Sequence, residues 1–297
     1  MFPDRRQRAL SSLRGLAVGD ALGSQFFVPT NRDHLTHRTV PAGPWQWTDD
    51  TEMACSIYHV LDRHGHINPD ALAASFAHRH DFDRGYGPAT NRMLRLVREG
   101  GDWRQLSAGL FDGQGSYGNG AAMRVAPLGA WYADDLETVV TEAALSAQVT
   151  HTHPEAVAGA IAIAVAAALL ANGADPAGPS DFLSTLAGYT PSSAVRSGIE
   201  KARDLPDSTP SLQAGVVLGN GSTVSAPDTV PLALWVVAHC RGSFSEAFWA
   251  TASAGGDIDT TCAIVGGVLA ARTGTGRPPA DWDDATERLP HWISQPQ

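Results

Sequence analysis

Pro154-Glu155-Ala156-Val157-Ala158-Gly159-Ala160-Ile161-Ala162-Ile163-Ala164-Val165-Ala166-Ala167-Ala168-Leu169-Leu170-Ala171 is the stretch on which the fold reading turns. From Ala156 onward it is apolar on every side, as expected of a helix buried all round. It is too short and too alanine-rich for a membrane span, which needs about 20 residues. Such a helix must be covered by other elements, and the rest of the chain supplies helical periodicity. Leu10, Leu13 and Leu16 share a helix face. Met53, Ile57, Val60 and Leu61 share another after Asp49, in a stretch that stops near Gly65. Pro69 to His78 reads as a short helix opened by proline. Further helical stretches start near Pro88, Ala121, Asp134, Ser192, Pro227, Ser243 and Asp259. Alternating β-branched runs are scarce, so the expectation is an all-α chain. Asn172 to Ser180 and Leu205 to Pro210 read as turns and not as domain linkers. The chain is therefore expected to form one compact domain over 1–297. Its core spans about 10–272, and a polar, proline-rich tail, 273–297, is expected to wrap the surface.

Composition narrows the function classes. Hydrophobic residues make up 43% of the 297 and charged residues 18%, which excludes intrinsic disorder. Thirty-one acids against 21 bases leave a net charge of −10, and Lys201 is the one lysine. A general nucleic-acid or membrane-surface binder is excluded on that balance. An anionic ligand would need its charge offset locally. Cys55, Cys240 and Cys262 are isolated, without a CxxC pair, and are expected to be reduced. The N-terminus shows no uninterrupted apolar h-region, so the expected setting is cytoplasmic. No heptad seam is visible, and a monomer is the default.

Two acidic clusters break the pattern of ordinary helix surface. Trp47-Thr48-Asp49-Asp50-Thr51 and Gly255-Gly256-Asp257-Ile258-Asp259-Thr260-Thr261 each put two carboxylates and a hydroxyl at a loop-to-helix junction. Helix capping is one reading, because Thr and Asp favour N-caps and acids suit the positive end of a helix. The other is metal ligation: neighbouring carboxylates repel, and hard cations take oxygen ligands. If the fold joins the clusters, their carboxylates can hold two divalent ions. A third motif, Gly115-Ser116-Tyr117-Gly118-Asn119-Gly120, leads into Ala121-Ala122-Met123-Arg124. It reads either as a structural turn or as a backbone cradle for phosphate. It is not a Walker loop, since no Gly-Lys-Ser/Thr follows. A fourth, Thr150-His151-Thr152-His153-Pro154-Glu155, places a ligand-binding histidine better than a zinc pair. His64/His66 and His78/His80 read as solvated surface.

In order along the chain, these motifs resemble those of the ADP-ribosylglycohydrolase family. That family includes the dinitrogenase-reductase-activating glycohydrolase and the ADP-ribosylarginine and ADP-ribosylserine hydrolases. The matching pieces are Gly15-Leu16-Ala17-Val18-Gly19-Asp20-Ala21-Leu22-Gly23, Trp47 to Thr51, Gly115 to Arg124, Val149-Thr150-His151 and Gly255 to Thr260. The resemblance implies an orthogonal helical fold around a cleft that holds two Mg2+ ions, with Mn2+ as the alternative. It implies Thr48, Asp49 and Asp50 as ligands on one side, and Asp257, Asp259 and Thr260 on the other. Asp259 would bridge the ions, and Asp50 or Asp257 would act as base. Gly115, Ser116, Tyr117 and Gly118 would hold the diphosphate, with Asn119 and Gly120 shaping the turn. Phe111 would face the adenine, and His151 the phosphates and distal ribose.

The implied activity is hydrolysis at C1″ of the distal ribose, releasing ADP-ribose from a modified protein side chain. Many members carry a glutamate soon after the Gly-Asp-Ala-Leu-Gly run. Here Ser24-Gln25-Phe26-Phe27-Val28-Pro29-Thr30-Asn31 follows, without an acid before Asp33. That leaves the general acid unassigned. It favours an arginine linkage, because a guanidine departs with less acid help than an alkoxide. The alternatives are another ADP-ribosyl linkage (serine, nucleic acid or O-acetyl-ADP-ribose) and a non-catalytic ADP-ribose-binding or structural member. Nucleic acid is otherwise not an expected partner.

Overall fold

A computed structural model describes residues 4–173, 177–272 and 276–293. Among these residues there are eighteen α-helices and four 3-10 turns, with no strand. The only β-type pairings there are two isolated bridges, Trp45 with Thr286 and Gly118 with Ser225. The all-α expectation is met. Five helices frame the site: α1 (Arg5–Ser24), α2 (Asp49–His64), α3 (Pro154–Ala171), α4 (Ala226–Cys240) and α5 (Ile258–Ala270).

Helix α3 is the apolar stretch Pro154–Ala171. Pro154 sits in its first turn, and the His153 ring caps it by accepting from the Glu155 amide. By length and composition it could cross a membrane, yet 83% of it is buried within the folded chain. It packs against α4, α5 and the helices Leu136–Gln148 and Ala126–Trp131. Its alanines keep those neighbours close.

The most extensive helix pairing among the described residues is α1 with α5. Gly15, Gly19 and Gly23 recur every fourth residue and so share one face of α1. A Cβ at Gly19 would lie 2.1 Å from the Cys262 carbonyl oxygen, and one at Gly15 only 2.2 Å from the Ala270 Cβ. One at Gly23 would lie 2.8 Å from the Asp259 Cα. The two backbones therefore touch along three turns. The Ser12 hydroxyl adds a bond to the Gly267 carbonyl at 2.7 Å. This contact brings the C-terminal end of α1 beside the first turn of α5.

The remaining expectations sharpen in detail. Seven helices, including Arg32–His37, Trp103–Ala108 and Pro179–Tyr189, have no counterpart in the periodicity. Most are short, and local pattern is weak over two turns. Pro179 already opens a helix inside the Asn172–Ser180 turn, whose residues 174–176 lie outside the described ones. The C-terminal tail does more than wrap the surface. In the helix Ala280–Ala285, Trp282 is buried edge-on against Phe248 and Trp249. Residues 273–275 and 294–297 of that tail also lie outside the described ones.

The α1–α5 contact can be tested by adding one carbon. Gly19→Ala should destabilise the fold by about 3 kcal/mol, the upper range of core overpacking. Gly188→Ala, with open space around the added methyl, should be neutral or slightly stabilising. Thermal melts of the two variants check this, and equal melting temperatures would contradict the close contact.

Candidate active site

Thr48 is the N-cap of α2, and Asp49, Asp50 and Glu52 follow in its first turn. A carboxylate from another helix holds that turn in place. Asp20 of α1, with no exposed surface, accepts from the Thr48 amide (2.9 Å), the Thr51 amide (3.2 Å) and both threonine hydroxyls. On the far side, Asp257 caps α5 and Asp259 lies in its first turn. The two acidic clusters thus meet. One carboxylate oxygen each from Asp20, Asp50 and Asp259 lies within 4.8 Å of the others. Thr260 Oγ1 reaches Asp50 Oδ2 at 3.5 Å.

Burial, and for all but Asp20 the neighbouring acids, perturb that trio and Asp49 beside them. Burial, then the Coulomb field of Asp20, pushes Asp49 up to about 8. Burial raises Asp20 to about 6 against the hydrogen bonds from Thr51 and Thr48. Asp50 and Asp259 are held well above the usual carboxylate range, first by burial and then by neighbouring aspartates. Asp50 Oδ1 is buried and has no hydrogen-bond partner. A divalent cation would relieve both the repulsion and the orphaned oxygen, and the donor set is the all-oxygen type that Mg2+ takes. The residues present therefore fit a metal.

The glycine loop meets the acids at Asn119, whose Nδ2 lies 2.7 Å from Asp257 Oδ2. Together they bound a cleft of about 500 Å³. Asp49, Asp50, Asp257, Asp259 and Thr260 line it on one side, and Phe111, Ser116 to Gly120 and His151 on the other. Thr48 does not line the cleft, because its hydroxyl turns to Asp20 at 2.8 Å and Asp50 at 3.2 Å. Gly115 also lies off the lining, with its Cα facing Thr152 and His153. Phe111 and Tyr117 are about half exposed at the mouth. Phe111 and Asp112 hold left-handed backbone at φ 51° and 57°, a strained arrangement for residues with a Cβ.

The loop differs from a simple amide cradle. The Gly118 amide donates to Ser116 Oγ at 3.2 Å, and the Asn119 amide to the Val224 carbonyl at 3.2 Å. Both are spent internally, while the amides of Ser116 and Tyr117 make no bond among the described residues. The helix that follows is a single turn, Gly120–Met123. The Asn119 side chain does more than shape the turn: its Nδ2 donates to Asp257 Oδ2 at 2.7 Å and Thr229 Oγ1 at 3.1 Å. One amide thus ties the loop to the acidic wall.

Sequence reasoning quoted Asp20 within its motif without giving it a role. The available signal was its position between Gly19 and Gly23, on a helix face built for close approach. The reading of His80 as surface is corrected: it is buried at the end of helix Pro69–Arg79. Its Nε2 pairs with Asn91 Oδ1 at 2.6 Å, and Arg98 donates to its Nδ1 at 3.1 Å. His64, His66 and His78 are exposed.

With this geometry in hand, comparison with known proteins is direct. The family model for ADP-ribosylglycohydrolase matches residues 1–295. The chain belongs to the ADP-ribosylglycohydrolase family. It is thus a glycohydrolase, of a family whose members depend on metal and act on ADP-ribosylated substrates. ADP-ribosylarginine hydrolase Tri1 of Pseudomonas putida is 29% identical, over 93% of this chain and 73% of that protein. ADP-ribosylhydrolase ARH3 of Homo sapiens is 28% identical, over 81% of this chain and 74% of its own. A solved structure, an ADP-ribosylglycohydrolase-related protein complex, superposes with a TM-score of 0.64 at 29% identity, covering 96% of this chain and 93% of the other.

The raised carboxylates of this glycohydrolase fix the sign of its pH response without metal. The folded chain keeps protons on Asp49 and Asp20 that the unfolded chain has released near pH 4. The stability they contribute is present in full below pH 4 and is lost as pH rises towards 8. In chelator, the melting temperature should therefore fall between pH 5 and pH 8. Asp49→Asn should flatten that fall, and an equally steep profile in the variant would overturn the assignment.

Proposed function

We propose that the protein is a hydrolase that removes ADP-ribose from modified arginine side chains, with two Mg2+ ions held by Asp49, Asp50, Asp257, Asp259 and Thr260. The observation that carries this reading is the opposite chemical sense of the two cleft walls. One wall is carboxylate, accepting only, and suits cations. The other presents Ser116, free loop amides and His151, and suits an acceptor-only group such as a diphosphate. A single ligand that spans both must carry phosphate at one end and metal-binding hydroxyls at the other. ADP-ribose does so.

Divalent ions bound there would supply Lewis-acid charge, orienting ribose hydroxyls and making a water more acidic. The chain's own residues supply the rest. Ser116 and the loop amides hold the diphosphate, and the rings of Phe111 and Tyr117 flank the mouth where the adenine enters. Remote binding is thereby turned into positioning of the distal ribose. Asp50 or Asp257 accepts the proton of the attacking water. The water oxygen bonds to C1″ as the bond from C1″ to the guanidine nitrogen breaks, through an oxocarbenium-like transition state. The substrate's guanidinium, already protonated, leaves as neutral guanidine and then takes up the proton that the aspartate accepted from water. Asp257 is the better placed base, because Asn119 holds it at the boundary of the two walls.

Support for arginine comes from the residue after the Gly-Asp-Ala-Leu-Gly run. Gln25 folds back, its Nε2 donating to the Ala21 carbonyl at 3.2 Å and Ser24 Oγ at 3.3 Å. No side chain of that segment lines the cleft. A leaving group that needs little acid assistance fits such a site, and one relative is named for arginine.

Assay against ADP-ribosylated arginine, ADP-ribosylated serine, ADP-ribosylated nucleic acid and O-acetyl-ADP-ribose tests the linkage. Arginine should turn over fastest, and a serine preference would overturn the choice. Asp259→Ala and Asp49→Asn should lower kcat on the order of a thousandfold with the fold intact. Full activity in either, or in EDTA, would refute the metal assignment. Tyr117→Ala should weaken ADP-ribose binding while Mg2+ affinity is kept. Calorimetry in chelator should show poor ADP-ribose binding, restored by Mg2+.

A further inference from the structure

Arg124 is completely buried, and no carboxylate pairs with it among the described residues. Its guanidinium lies 4.5 Å over the Phe76 ring. Nη2 donates to the Ser146 carbonyl at 3.0 Å and to Thr150 Oγ1 at 2.9 Å, while Nε has no partner. An unpaired buried cation is costly, and nothing in the helix packing calls for one. Two contacts link it to the cleft: Nη1 donates to Sδ of the lining residue Met53 at 3.5 Å, and Nη2 reaches His151 through Thr150.

Thr150 Oγ1 lies 2.7 Å from His151 Nδ1, and both residues are buried. A guanidinium only donates, so the threonine oxygen is the acceptor from Arg124. The threonine proton then has one available acceptor, Nδ1. The reverse arrangement, with Nδ1–H donating to the threonine, would leave the buried hydroxyl proton without a partner. The proton of a neutral His151 must therefore sit on Nε2. That nitrogen makes no bond among the described residues and faces the glycine loop. It lies 2.9 Å from where a Cβ on Gly120 would stand and 3.3 Å from one on Gly118.

We propose that Arg124 and Thr150 are positioning residues that lock His151 as its Nε2–H tautomer, a fixed donor aimed at an acceptor oxygen of the bound ligand. Burial, and then the Arg124 charge, also lower the His151 pKa to about 3, so the ring stays a neutral donor and does not serve as acid or base. The ligand's identity rests on the function proposed above. The tautomer lock does not.

The test uses the full chain loaded with Mg2+ and labelled with 15N at histidine, the His151 signals being assigned by their loss in His151→Gln. The wild type should carry its proton on Nε2, with Nδ1 bare. Thr150→Val should redistribute that proton and weaken ADP-ribose binding about tenfold, and Thr150→Ser should restore both. A wild-type proton on Nδ1 overturns the proposal even if Thr150→Val fails to fold. So does a Thr150→Val protein with unchanged tautomer, or with a changed tautomer and unchanged affinity. Failure of the wild type to bind ADP-ribose would refute the functional reading instead, with the spectrum still reporting on the lock.

Discussion

The backbone contact between α1 and α5 is the constraint on which the rest of the molecule depends. Three glycines on one face of α1 remove every side chain that would hold the helices apart. Asp20, beside that face, then reaches the first turn of α2 and binds it through two amides and two hydroxyls. A single carboxylate so placed fixes where α2 starts. The position of α2 relative to α5 fixes the acidic wall in turn. Asp49, Asp50, Asp257 and Asp259 are within reach of one another because of a packing decision made in α1, where no ligand was expected.

The two walls of the cleft also settle how an acidic protein can take an anionic ligand. Its net charge of −10 includes a cluster that burial, and then self-repulsion, drives towards protonation, so cations would complete it. The glycine-loop wall would offer the proposed anion neutral donors rather than exposed bases. The Arg124 guanidinium, behind Thr150 and His151, is wholly buried. Charge is thus placed where water cannot screen it, and the surface remains acidic.

How much of this was legible in the sequence depended on the range of the signal. The α3 stretch announced an all-helical core because its composition alone demands burial. The acidic and glycine-rich motifs marked both walls, since their local chemistry is unusual on any helix surface. Asp20 stayed hidden because its function lies in contacts with residues 28 and 31 positions away. Asn119 was read as a turn former, and its bond to Asp257 crosses 138 residues. Gly118 reads as a phosphate donor, whereas its amide is satisfied by Ser116 Oγ within the loop. His80 looked exposed because an isolated histidine carries no periodic signal. Apart from the local Gly118–Ser116 bond, each of these turns on a partner distant in the chain, which local pattern does not encode.

The α1–α5 seam also sets a timetable. Ser12 bonds Gly267 across 255 residues, and Thr260 meets Asp50 across 210. Contacts so distant along the chain incur a large loop-closure entropy before they return any energy, and chains rich in them fold slowly. The buried core around α3 can condense from closer neighbours, whereas the carboxylate cluster exists only after the two distant helices dock. Collapsed intermediates without that seam would hold the acids apart, with near-ordinary acidity and no preformed cation site. Metal can then capture the finished fold, but it cannot template the search for it.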